Sequence, residues 1–137
     1  MRTVLLVVPL ITGCDHCVPA HPVVGITVER NSTGYVFRFK NCTNETQVPV
    51  VENVRVIRPV PREQVDAAPP ICEIVNEAPP VLGTHWRYGE KPPGYKMPVC
   101  EPLRPGGTYQ IRVFAKGNMT FTLAADGTIA NSEPACR

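Results

Sequence analysis

The sequence predicts an all-β sandwich of short antiparallel strands. Apolar residues recur with period two at Val24/Ile26/Val28, Tyr35/Phe37/Phe39, Val54/Val56, Tyr109/Ile111/Val113 and Met119/Phe121/Leu123. That alternation marks strands with one buried face. Between these runs lie turn formers such as Asn31-Ser32-Thr33-Gly34 and Ala115-Lys116-Gly117-Asn118. The 137 residues also include 16 prolines against 10 glycines, a balance that disfavours long helices and central strands. No amphipathic helix of useful length, internal repeat or low-complexity tract accompanies them.

Taken in order, the alternation from Val23 to Glu29 gives a first strand. The turn at Asn31–Gly34 folds it against a second, Tyr35 to Phe39, whose opposite face carries Val36, Arg38 and Lys40. Residues 42–49 read as loop. Val54 to Ile57 forms a third strand, stopped by Pro59 and Pro61, and residues 59–70 read as irregular. Ile71 to Val75 is expected as a short edge strand. A second proline-rich stretch, 77–94, holds a short strand at Thr84 to Tyr88, and Tyr95 to Val99 follows as another. The hairpin Tyr109–Phe114 and Met119–Ala124, turning at 115–118, completes the set.

Composition narrows the function. Hydrophobic residues make up 43% and charged residues 19%, enough for a packed core. Fourteen basic against 12 acidic side chains leave a net charge of +2, without the clustered cations of a nucleic-acid footprint. No carboxylate pair, nucleophile elbow or phosphate loop appears, so no enzyme is expected and no cofactor. His85, beside Trp86, reads as packing or surface rather than catalysis. Arg55, Arg58 and Arg62 cluster loosely, but strand spacing splits them between faces, which predicts a solvated edge rather than an anion site.

The N-terminus points to export. Arg2 precedes an apolar run from Thr3 to Ile11, too short to span a bilayer but suited to a signal-peptide core. Ile11-Thr12-Gly13-Cys14 then resembles the lipobox of bacterial lipoproteins. The resemblance implies cleavage before Cys14 and a palmitate-type lipid on that thiol. The chain divides accordingly into a signal peptide (1–13), a lipid-anchored tether (14–22) and a sandwich domain (23–137). The implied location is the periplasmic side of the cell envelope, and Asp15 favours the inner membrane. The implied partners are the membrane and an envelope protein.

The stretch Leu103-Arg104-Pro105-Gly106-Gly107-Thr108-Tyr109, followed by alternation to Ala115, resembles the E–F corner and F strand of fibronectin type III domains. This implies an immunoglobulin-like β-sandwich with a tyrosine corner at Leu103, Pro105, Gly106 and Tyr109. In such a corner the ring packs in the core and its hydroxyl bonds backbone a few residues upstream. Phe37 or Phe39 would stand where that family places a Trp in its second strand.

Six cysteines in a small exported chain predict disulfides. With Cys14 acylated, five remain. Cys72 with Cys100 is the leading pair, closing the proline-rich excursion, and Cys42 pairs with either Cys17 or Cys136. Two other readings compete with a non-catalytic binding or assembly module. Cys14-Asp15-His16-Cys17, with His21, could serve an extracytoplasmic thiol or metal protein, although acylation of Cys14 removes one ligand and no metal site is expected. Four N-x-S/T triplets, at Asn31, Asn41, Asn44 and Asn118, would suit a eukaryotic secreted glycoprotein domain. The expected contact surface is His85–Tyr95. It gathers Trp86, Arg87, Tyr88 and Tyr95 among stiffening prolines, the residue types enriched in binding hot spots. The competing expectation is that Trp86 and Tyr88 plug the open end of the sandwich.

Overall fold

The computed structural model describes residues 23–136. The signal peptide and tether expected at 1–22, with Cys14 and Cys17, lie outside the described residues. The chain forms β1 (Val24–Asn31), β2 (Gly34–Asn41), β3 (Asn53–Ile57), a 3-10 helix (Arg62–Ala67), β4 (Cys72–Asn76), β5 (His85–Arg87), β6 (Tyr95–Cys100), β7 (Thr108–Val113), β8 (Gly117–Leu123) and β9 (Ile129–Ser132). A three-stranded sheet runs β1-β2-β5 and a six-stranded sheet runs β6-β4-β3-β7-β8-β9. Every pairing is antiparallel.

Alternation decides which side chains meet between the sheets. Ile26, Phe37, Phe39 and Trp86 project from the small sheet; Val54, Val56, Ile74, Ile111, Val113, Met119, Phe121 and Leu123 project from the large one, in one buried cluster. Phe37 meets Phe121 across the gap, edge to face at 5.5 Å between centroids. Each such side chain contributes about 1.5–3 kcal/mol by leaving water.

The structure corrects three expectations. First, residues 59–70 are not wholly irregular. The 3-10 helix lays Val65 and Ala68 over Ile57 on the outer face of the large sheet, and Pro61 at its N-cap supplies the fixed φ that starts the turn. Second, β4 is not an edge: it lies between β3 and β6, and β6, interrupted by Pro98, takes the edge position where a missing N–H is harmless. Third, β9 was not expected. Only Ile129 in it is apolar and partly buried, so no alternation announces it. The last hairpin also turns earlier than the sequence suggests. Val113 already pairs with Gly117, leaving a three-residue loop whose centre, Ala115, takes φ 56°.

Two disulfides pin the loops. Cys72 bonds Cys100, its direct cross-strand partner between β4 and β6. Cys42 bonds Cys136 rather than Cys17, across a separation of 94 residues. On chain entropy alone, closing so long a loop stabilises the fold by about 4–5 kcal/mol. Gly25 makes room for it: a Cβ there would lie 2.7 Å from Cys136 Sγ and 2.9 Å from Cys42 Sγ.

Candidate functional site

The segment expected to form the contact surface is divided by strand parity. Trp86 is 2% exposed. It stacks on Phe37 at 5.7 Å and donates its Nε1–H to the Glu90 carbonyl at 2.8 Å. Tyr95 is likewise buried, donating its hydroxyl to the Val51 carbonyl and accepting from the Leu82 N–H. Tyr88 is half-buried and donates to the Glu101 carbonyl. Burial pushes its phenol well above the ordinary tyrosine range, with the charges of Tyr109 and Glu101 adding to the effect. Three of the four candidate residues therefore tie β5 and β6 into the core. Arg87 alone points out, paired with Glu90 at 2.8 Å. With His85, Arg38 and Pro92 it borders an open cleft of about 420 Å³.

The buried Tyr109 hydroxyl accepts the Arg104 N–H at 2.8 Å, five residues upstream, and lies 3.5 Å from the Arg104 carbonyl. Gly106 holds φ 78°. At Gly107 a Cβ would stand 2.7–2.8 Å from the Tyr109 ring, so only glycine lets the backbone cross that face. Leu103 packs against the core at the same corner.

A second cleft, of about 380 Å³, lies on the outer face of the large sheet. Its lining comes from β3 (Asn53, Arg55), β7 (Arg112), the following turn (Phe114, Ala115) and the 3-10 helix (Asp66). Arg55 and Arg112 are direct cross-strand partners, and Glu73 faces Arg55 from the other side. Two guanidinium groups side by side repel unless acids answer them. Arg55 is answered. Its Nη2 donates to the Ala68 carbonyl at 2.8 Å, and its Nε lies 3.1 Å from Glu73 Oε2. That second contact is an ion pair by distance only, since the buried Nε–H makes no hydrogen bond.

Arg112 is answered only loosely. Its side chain is 16% exposed, yet its one ion pair is Nη1 to Asp66 Oδ1 at 3.7 Å, and that carboxylate is 77% exposed. Burial lowers the Arg112 pKa from its ordinary value; Asp66 pulls it back and Arg55 lowers it further. Asn53 Oδ1 is buried nearby and accepts no hydrogen bond. Sequence reasoning missed this site because it grouped Arg55 with its chain neighbours. The signal was available only as parity: Arg55 and Arg112 both stand on the outward face of their strands.

Three of the four N-x-S/T triplets have a local structural account. Asn31, Asn41 and Asn44 each accept, on Oδ1, both the backbone N–H and the hydroxyl of the Thr two residues on, at 2.7–3.1 Å. Asp126 and Thr128 build the same turn without an Asn, and those bonds lower the Asp126 pKa. Side chains that fold back on backbone in this way are common turn formers. The cysteines within the described residues are all in disulfides, while the lipidation candidate Cys14 and its neighbour Cys17 lie outside those residues. No family model, curated protein or solved structure matches this chain.

Proposed function

We propose that this chain is a lipid-anchored envelope protein without catalytic activity, whose body is an immunoglobulin-like sandwich serving as a binding or assembly module. Strand order supports the body. With β1, β2, β3, β4, β5, β7 and β8 read as A, B, C, C′, E, F and G, the sheets run A-B-E and C′-C-F-G, an order belonging to that architecture. The hydrogen-bonded Tyr109 sits at the start of strand F, where fibronectin type III domains carry a tyrosine corner. β6 and β9 extend the larger sheet at its two edges. Both disulfides fit an oxidising compartment.

One observation carries the anchored reading. The exposed large hydrophobics among the described residues are Val23, Val48, Val50, Val81 and Phe114. All belong to one end of the sandwich, where β1 and β3 begin and β2 and β7 finish. Hydrogen bonds connect this end: Val23 N–H donates to the Lys116 carbonyl, Lys116 Nζ to the Val50 carbonyl, and Phe114 N–H to the Asn53 carbonyl. Leu82, next to Val81, bridges Val51. This is also the end from which the chain runs back to Cys14. A short tether holds it close to the bilayer, where an apolar rim gains by meeting lipid.

The test is Cys14→Ser. Cells carrying it should release the protein from the membrane fraction or accumulate uncleaved precursor. Unchanged detergent-phase partitioning would sink the anchor.

A further inference from the structure

We propose that the cleft between Asn53, Arg112 and Phe114 binds a carboxylate that carries an adjacent N–H, as in an N-acyl amino acid or the free C-terminal end of a peptide. The inference rests on the binding-module reading. Arg112 carries the argument. Its side chain is 16% exposed and its contact to Asp66 is 3.7 Å, too long for the charge-assisted bonds a guanidinium makes with a well-seated carboxylate. Among the described residues the Arg112 side chain makes no hydrogen bond, and its nitrogens are not among the buried atoms without a partner, so its donors remain open to an incoming acid. Asp66, three-quarters exposed on a short helix, occupies the direction from which an acid would come. It acts as an intramolecular stand-in that an incoming carboxylate displaces.

Two neighbours define what else the ligand carries. Asn53 Oδ1 is a buried acceptor without a donor, and it sits on β3 two residues from Arg55, the cross-strand partner of Arg112. An amide N–H next to the carboxylate would supply that donor. Phe114, 56% exposed, lines the same cleft and offers a ring for an apolar side chain. Arg55 is held by Glu73 and Ala68, so it adds positive field rather than a free fork. The volume of about 380 Å³ suits a single amino-acid residue.

Isothermal titration of the full mature chain in detergent micelles tests this, with N-acetylphenylalanine as probe. Its methyl ester, inorganic phosphate and a pentapeptide ending in phenylalanine serve as comparisons. The acid should bind and the ester should not. Arg112→Gln should weaken binding at least tenfold, and Arg112→Lys should weaken it nearly as much because a point charge lacks the fork. Asp66→Asn should tighten binding several-fold by removing the stand-in, and this variant changes only an exposed side chain, so it decides the matter if Arg112 variants misfold. Arg87→Gln, outside the cleft, should bind as wild type. The pentapeptide exceeding the small acid would identify a peptide end as the source; the reverse would identify a free acyl amino acid. Equal binding of acid and ester, equal binding of phosphate, no binding, or an Asp66→Asn variant that binds no better would each overturn the assignment. Crosslinking that still captures an envelope partner in such a case would leave the binding-module reading standing.

Discussion

β5 and β7 carry similar residues and use them in opposite senses. In β5 the aromatic Trp86 is inside and Arg87 is outside, paired with Glu90. At β7 and its turn, the Arg112 side chain is 16% exposed against the sheet while Phe114 stands 56% exposed. Composition marks only the first segment as a candidate contact surface. Only the parity of each strand decides which ring turns to the core and which stands exposed. The lesson is that an aromatic and arginine-rich stretch says nothing about recognition until its register is known.

Mutations can break or sharpen this contrast. The largest effect belongs to Trp86→Ala, which opens a cavity beside Phe37 and should cost about 3–5 kcal/mol in denaturant unfolding. Phe114→Ser should stay within about 0.5 kcal/mol of wild type, because it removes an exposed ring. Comparable losses at the two positions would erase the distinction. Next in size is Tyr109→Phe, expected to cost about 1–2 kcal/mol because the part-buried Arg104 N–H loses its acceptor. A chemical-denaturation midpoint equal to wild type would remove the corner from the account. Ala115→Gly should stabilise the β7–β8 turn by up to about 1 kcal/mol, since φ 56° strains any residue with a Cβ; a lower melting temperature would argue against that backbone.

The alkaline limb of stability sharpens the β5 side. The folded pKa of Tyr88 is raised by burial, and that of Tyr95 is raised for the same leading reason. Their neutral forms therefore favour the fold fully below the ordinary phenol pKa of about 10, and that contribution is lost as pH rises beyond it. Phenolate absorbance during an alkaline titration should lag in the native protein and appear with unfolding. Early, reversible ionisation of Tyr88 and Tyr95 would contradict their placement.

Much of the architecture was legible from the chain. Period-two alternation located β1, β2, β3, β7 and β8 because each has one dry face. It failed for β9, whose residues are mostly wet, and it placed β4 at an edge because nothing local reports that β6 will pair outside it. The Cys72–Cys100 pair was readable from the excursion it closes. Cys42 with Cys136 was one of two options, and the choice depends on a C-terminal segment whose path the sequence does not encode locally. The Arg55–Arg112 pair was invisible for the same reason: the two residues are far apart in sequence and adjacent only through the β3–β7 register. Trp86 attracted attention by its residue type, and its burial follows from facing Phe37 across β2 and β5.

The central claim is that the Phe114 end of the sandwich faces the bilayer that holds Cys14. Phe114→Trp and, at the opposite end, Ser32→Trp would each be placed in the full mature chain and reconstituted in phosphatidylethanolamine–phosphatidylglycerol vesicles containing bromine-labelled acyl chains. Fluorescence is read as the difference from wild type, in which Trp86 is buried. The account predicts strong quenching of the tryptophan at 114 and little at 32. Equal quenching at both positions, or none at 114, would contradict it.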